Sequence, residues 1–128
     1  MEVDIKDNSQ ALLDELKRKK NLTLSALGET VEKYAKKGCP VDTGRLRNSI
    51  TYATGDFKGE STYKDEQGNM FDDGAAKSEP KEDYVYIGTN VEYAEIIEEN
   101  HESGKHYLRN AVYDHKEELK TLAKKIMS

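Results

Sequence analysis

The sequence contains no tryptophan, one cysteine, two prolines and no long apolar stretch. The single cysteine, Cys39, excludes an internal disulfide and cannot alone form a zinc site, which needs three or four converging ligands. No run approaches the roughly 18 apolar residues of a membrane-spanning helix. The first residues also lack the basic and apolar regions of a signal peptide. We therefore predict a cytosolic origin, with Cys39 as a small buried side chain rather than a reactive thiol.

Apolar residues are scarce as well. Only 35% of the 128 residues are hydrophobic, against roughly 45–50% in an average domain. One domain of this length can fold around so lean a core, but part of the chain should then lie outside the core or be covered by neighbouring subunits. Eight tyrosines against two phenylalanines favour such interfaces, because tyrosine combines an apolar ring with a polar hydroxyl.

The net charge of −5 is concentrated in one segment. Residues 55–83 contain nine acids and four lysines, so this segment alone sums to −5 and the rest of the chain is balanced. A protein that binds DNA non-specifically needs a basic face, and the short basic run at residues 17–20 is typical of a solvated helix face. We predict no sequence-specific nucleic-acid partner and no membrane partner.

The first predicted element is a long helix over residues 9–37. Its apolar residues recur at helical spacing, Ser9 is a plausible N-cap, and Gly38 followed by Pro40 is a helix-stop signal. The apolar stripe weakens at residues 19–21. The helix is therefore expected either to bend there or to project its first turns beyond the core.

The remainder of the chain predicts a small sheet and further helices. Residues 55–82 are nearly devoid of aliphatic side chains, which predicts a long acidic hairpin or loop with a mobile tip. The fold class is therefore α+β: a long N-terminal helix, a small mainly antiparallel sheet, a short helix and a long C-terminal helix packed on one face. We interpret residues 1–128 as one domain with a mobile acidic excursion at about 55–82. The other predicted elements are strands at 50–54 and 84–87, a short helix at 91–99 and a helix from 103 or 104 to about 127.

No catalytic signature is visible. The sequence lacks a phosphate-binding loop, a dinucleotide-binding fingerprint and a nucleophile elbow. His115 and Glu118 are three positions apart and could both contact a metal, but a metal site needs more ligands than two. The acidic run at residues 92–102 predicts a solvated or partner-facing helix edge. We expect no enzyme, no cofactor and no metal site.

Residues 40–50 carry the signals of a tight structural junction. Asp42 or Thr43 can cap a short helical turn. Gly44 follows directly, and there we expect close packing or an unusual backbone angle. Leucine and isoleucine four positions apart then share one face and should fill the space between the first helix and the sheet. The residues that we predict to build this junction are Pro40, Asp42, Thr43, Gly44, Leu46 and Ile50.

Two arginines lie within the same turn. Arg45 and Arg47 are two positions apart, so in a helix their side chains diverge by about 200°. One could make an internal salt bridge while the other faces a partner. The alternative is that both are exposed to solvent.

Three segments resemble one family of phage proteins. The sequence PVDTGRLRNSI at residues 40–50 is similar to the element that links a helix to the first strand in that family. Residues 86–94, YIGTNVEYA, are similar to its following strand and helix, and residues 107–111, YLRNA, to the start of its last helix. The chain thus resembles the tail-component family of long-tailed bacteriophages and prophages, whose members are described as neck, head–tail joining or tail-completion proteins.

The resemblance implies a structural virion protein without catalytic activity. It implies a closed homo-oligomeric ring at the neck, most simply a hexamer, between head-closure or connector proteins and the tail terminator or tail tube. Its location would be the virion tail and, during assembly, the host cytoplasm. The alternative is a small cytosolic binding or regulatory adaptor, which self-assembly would distinguish from a ring subunit. The residues predicted to contact partners are Arg45, Arg47, Tyr63, Met70, Phe71, Glu98 and Glu99.

Overall fold

The computed structural model describes residues 5–39, 44–55, 57, 60–74, 81–100 and 106–128, with the backbone alone at 5–8, 95, 96 and 100. The predicted helix start at 103 or 104 and the junction residues Pro40, Asp42 and Thr43 lie outside this part. The class is α+β, as the sequence predicts. The elements in chain order are α1 (Ile5–Gly38), α2 (Arg45–Ser49), β1 (Thr51–Thr54), β2 (Tyr63–Lys64), β3 (Met70–Phe71), β4 (Val85–Gly88), α3 (Ala94–Asn100), α4 (Tyr107–Tyr113) and α5 (Lys116–Met127).

Helix α1 ends where the sequence predicts but begins earlier. It stops at Gly38, whereas its first residue is Ile5, so Ser9 lies inside the helix and is not its N-cap. A serine cap is worth only about 1 kcal/mol. No proline or glycine separates Ile5 from Ser9, so nothing in the local sequence stops the helix from extending past the serine.

The first turns of α1 project beyond the core, which is one of the two predicted outcomes. The side chains of Leu12, Leu13 and Leu16 are 61%, 60% and 46% exposed. Farther along the same helix, Val31 and Ala35 are buried. The apolar stripe therefore continues past the body of the protein rather than ending with it.

Two short antiparallel pairs make up the sheet structure of the described residues. β1 pairs with β4, with Thr51 opposite Gly88 and Thr54 opposite Val85. β2 pairs with β3 in a small hairpin inside the acidic segment. The β1–β4 pair packs on α1 at Gly28, where an added Cβ would lie 2.4 Å from Cδ2 of Tyr52.

The predicted long C-terminal helix is two helices. α4 ends at Tyr113 and α5 begins at Lys116. Between them, the His115 ring stacks on Tyr34 of α1, with ring centroids 3.5 Å apart and planes 6° from parallel. The apolar periodicity runs unbroken across this point, so it gives no sign of the break. The structure thus places a contact with α1 at the point where the helix is interrupted.

The core lies where α1, α2, α3 and α4 meet. Cys39 is buried as predicted, and burial raises the pKa of its thiol to about 12, so the thiol stays protonated at neutral pH. The buried residues of this core are Val31, Ala35, Cys39, Leu46, Ile50, Val91, Ala94, Tyr107 and Ala111.

Candidate assembly surface

The described part of the junction begins with Gly44, whose backbone is in a left-handed conformation. Gly44 has φ of 83° and occupies the N-cap position of α2, which has no side-chain cap. A Cβ at this position would lie 2.7 Å from Cγ and 3.3 Å from the backbone nitrogen of Glu66. Close packing and an unusual backbone angle were expected as alternatives for Gly44, and the structure shows both. The cap role predicted for Asp42 or Thr43 lies outside the described residues.

Two buried hydroxyl groups, of Ser49 and Thr89, form a hydrogen bond at the end of α2. Leu46 and Ile50 are 5% and 0% exposed, and Ser49 between them is fully buried. The Ser49 hydroxyl donates to the Leu46 carbonyl at 2.6 Å and lies 2.5 Å from Oγ1 of Thr89. Because Ser49 has one proton, Thr89 must donate in the second bond. Sequence reasoning missed Ser49 and Thr89. Their only signal was their position, since Ser49 lies shortly before β1 and Thr89 directly follows β4.

Arg45 lies at the centre of an ionic cluster. Its Nη2 atom is 2.5 Å from Oδ2 of Asp73 and 3.2 Å from Oε2 of Glu92. Its guanidinium carbon lies 4.5 Å from the ring centroid of Phe71 and 5.5 Å from that of Tyr93. The arginine therefore combines charge pairing with stacking on aromatic faces, which its planar group permits and a lysine would not reproduce.

The Asp73 carboxylate of this ionic cluster also accepts a hydrogen bond from a tyrosine. The Tyr63 hydroxyl donates to Oδ1 of Asp73. Partial burial opposes ionisation of Asp73, but the hydrogen bonds from Tyr63 and Arg45 outweigh it and lower the pKa of Asp73. Burial and the neighbouring carboxylate raise the pKa of Tyr63. Asp73 thus stays ionised and holds the hairpin to α2 at neutral pH.

We expect Asp73→Asn to reduce the free energy of unfolding by about 1.5–3 kcal/mol at pH 7, because two hydrogen bonds to a charge are weakened. The pKa of Asp73 is lower in the folded than in the unfolded chain. Its contribution is therefore complete above the unfolded value, about 3.9, and is lost as the pH falls through the folded value. Urea denaturation at pH 7 and pH 3 should show the advantage of the parent shrinking at pH 3.

The adjacent Asp72 provides the control, because its side chain is exposed. Asp72→Asn should leave stability within about 0.5 kcal/mol of the parent at either pH. An equal deficit for Asp73→Asn at pH 7 and pH 3 would mean that the charge of the carboxylate does not hold Arg45.

Arg47 points to the other side of α2 and binds the hairpin there. Its Nη2 atom lies 2.8 Å from Oε1 of Glu66, and the Asn48 side chain donates to the Lys64 carbonyl at 2.8 Å. The two arginines diverge as predicted, and each pairs with an acid within residues 60–74. The β2–β3 hairpin is therefore attached to α2 of its own chain.

Comparison of the sequence with models of known protein families identifies the family of this chain. The family model described as "Bacteriophage HK97-gp10, putative tail-component" matches residues 4–99, which include α1, the junction, both strand pairs and nearly all of α3. The chain belongs to this family. No curated protein and no solved structure gives a significant match. Membership indicates a phage tail component and hence a virion location.

The hairpin turn of this tail component is closed by an aspartate. Oδ1 of Asp65 accepts the backbone N–H groups of Gln67 and Asn69 at 2.9 and 2.8 Å, and Gly68 has φ of 86°. Burial of Asp65 opposes ionisation, but the hydrogen bonds from Asn69 and Gln67 prevail and lower its pKa. The turn presents Met70, which is 63% exposed.

The seven residues predicted to contact partners of this tail component fall into different environments. Arg45, Tyr63 and Phe71 come together in the ionic cluster around Asp73, and Arg47 pairs with Glu66 beside it. Each partner role stays a prediction. Met70 and Glu99 are exposed.

Glu98 has an internal role in the tail component. Its carboxylate accepts the backbone N–H groups of Leu108 and Arg109 at 2.9 and 3.1 Å. The first N–H groups of a helix have no carbonyl partner within that helix. Glu98, which lies in α3, therefore caps the N-terminus of α4. Sequence reasoning placed Glu98 in an acidic run but could not identify this use, because the partners are ten and eleven positions away.

His115 and Glu118 are used to attach α5 to α1. His115 stacks on Tyr34, and the Tyr34 hydroxyl donates to Oε2 of Glu118 at 2.5 Å. Within the described ranges, no group of three or more His, Cys, Asp and Glu side chains could hold a metal ion. None of the helices in that part of the chain is long and apolar enough to cross a membrane.

Proposed function

We propose that this tail component is a ring subunit of the neck that joins head-closure or connector proteins to the tail terminator or tail tube. The ring is most simply a hexamer. The role is structural: docking onto a matching ring completes or joins the tail. In the virion the chain would occupy the tail or neck, and before assembly the host cytoplasm.

The observation that best supports a ring subunit is the exposure of apolar side chains in the N-terminal part of α1. Leu12, Leu13 and Leu16 form what we call the leucine tip, and they are 46–61% exposed. Full burial of a leucine is worth roughly 1.5–3 kcal/mol, so covering three half-exposed leucines would stabilise an assembled state. Contiguous exposed apolar residues of this kind mark interaction sites.

The lean core supports the same conclusion. Few large side chains of the described core are completely buried, and the largest of those are Ile50, Val91 and Ser49. A subunit with so little internal apolar surface gains more from its neighbours than a self-contained domain does. An assembling ring satisfies this requirement, because each copy covers part of the next.

The test is the oligomeric state of the purified chain, measured by light scattering across a concentration series and by electron microscopy. We expect concentration-dependent oligomers that include closed rings. A second assay supplies tagged chain during particle production and asks whether the tag is found in purified particles. A chain that stays monomeric and is also absent from particles would contradict the proposal and favour the adaptor alternative.

A further inference from the structure

One groove of the molecule has the charge and the apolar surface to receive the leucine tip. It lies between α1 and β1, has a volume of about 460 Å³, and is lined by Glu29, Glu32, Glu60, Tyr52 and Phe57 among others. We call this the acidic groove. Its lining includes three glutamates and one lysine. The lysine, Lys36, lies 3.7 Å from Glu32, which leaves an excess of negative charge.

Two aromatic rings line the acidic groove, and one of them is partly exposed. Tyr52 and Phe57 stack with ring centroids 4.8 Å apart, and Phe57 remains 41% exposed. Beside these rings, partial burial is the main cause that raises the pKa of Glu32. A carboxylate held in such a place gains from an approaching cation.

The leucine tip has the complementary character. Residues 17–20 are Lys-Arg-Lys-Lys, against the two acids Asp14 and Glu15 in the same stretch. Arg18, Lys19 and Lys20 contact their own chain, at Glu15, at the Ser128 carbonyl and at Asp83 respectively. Lys17, in contrast, has an exposed side chain. The tip therefore offers leucines beside the exposed positive charge of Lys17, which matches aromatic rings flanked by carboxylates.

Helix geometry prevents the tip from filling the groove of its own chain. Both lie on α1, which is continuous from Ile5 to Gly38. Leu16 and Glu32 are 16 positions apart, which corresponds to about 24 Å along the axis. Leu12 and Glu32 also point about 200° apart around that axis. A leucine tip that fills this groove must therefore come from another molecule.

We propose that the leucine tip of one copy docks in the acidic groove of the next copy, with the leucines against Phe57 and Lys17 facing Glu29 and Glu60. This inference rests on the proposed ring, and names the contact that would build it. The two surfaces are different patches on opposite faces of one helix. The contact is therefore head-to-tail, and it builds a ring when the rotation from one copy to the next divides a full turn evenly.

Two double variants test the contact, and each removes one of its halves. The tip variant is Leu12→Ser with Leu16→Ser, and the groove variant is Glu29→Lys with Glu60→Lys. All four side chains are exposed, so each variant should keep the parental melting temperature within a few degrees. At a concentration where the parent associates, sedimentation should show each variant alone associating at least about tenfold more weakly.

Mixing the two variants gives the decisive measurement. The tip variant retains a working groove and the groove variant retains a working tip, so an equimolar mixture should form a one-to-one dimer that does not grow further. A tip-to-tip contact would give no such dimer. Tyr113→Ser and Glu117→Lys are the matched controls. Both side chains are exposed and neither lines the groove, so the controls should associate like the parent.

The possible outcomes separate this contact from the ring role. A parent that assembles while the tip and groove variants assemble equally well overturns the contact alone. A mixture that stays monomeric, or that grows beyond a dimer, also overturns it. A parent that remains monomeric at every concentration overturns self-docking, while the ring role is then decided separately by incorporation into particles.

Discussion

Leu46→Ala should lower the free energy of unfolding by about 2–5 kcal/mol, the usual range for emptying a buried leucine site. Leu46 is 5% exposed and belongs to the same buried cluster as Ile50 and Val31. α2 has only five residues, too few to be stable alone, so this side chain is a main reason for its position. Chemical denaturation of the variant and parent measures the difference.

Arg47→Ala is the matched control within the same turn of helix. Its ion pair with Glu66 joins side chains that are 34% and 48% exposed, and such pairs contribute about 0–1 kcal/mol. The fold should therefore survive, and a loss of ring or particle incorporation would reveal a partner contact. If Leu46→Ala unfolds like the parent while Arg47→Ala unfolds early, the buried and exposed sides of α2 have been assigned the wrong way round.

The features that sequence reasoning predicted correctly depend on residues close together in the chain. Gly38 stops α1, and Gly44 adopts the left-handed angle that its position in the junction suggested. Leu46 and Ile50 are buried together because four positions bring two side chains to one face of a turn. In each case the physical cause is local, so the sequence alone contains the information.

The features that sequence reasoning missed depend on distant partners. Arg45 binds Asp73 and Glu92, which are 28 and 47 positions away. Nothing in the spacing of these residues distinguishes them from other charged residues in an acidic chain. At the break between α4 and α5, His115 likewise stacks on the distant Tyr34, whereas the local apolar pattern favours one continuous helix.

The acidic segment illustrates an intermediate case. None of its described residues belongs to the buried core cluster, in line with its composition. The β2–β3 hairpin has strands of two residues each, which is too short for an alternating pattern to be visible. The sequence did contain one signal for the hairpin, which is its turn. Asp65, Gly68 and Asn69 are residue types that favour a closed turn. Whether the segment is mobile stays a prediction.

Gly44→Ala should destabilise the fold by about 2–5 kcal/mol, the second large effect that we expect. A left-handed angle costs a residue with a side chain roughly 1–2 kcal/mol, and Gly44 has φ of 83°. The new methyl would also lie 2.7 Å from Cγ of Glu66, and overpacking of this kind typically costs about 1–3 kcal/mol. The Glu66 side chain can move, but its backbone nitrogen, 3.3 Å away, is part of the hairpin that Arg47 holds.

Gly68→Ala separates the two causes of this destabilisation. Gly68 has nearly the same angle, φ of 86°, but an added Cβ there meets no heavy atom within 4 Å. It should therefore show the backbone cost alone, about 1–2 kcal/mol. Chemical denaturation of both variants gives the difference, which measures the packing of the hairpin against α2. Equal losses would mean that the hairpin moves away from α2 without cost, and the junction would then not be the element that fixes the acidic segment to the core.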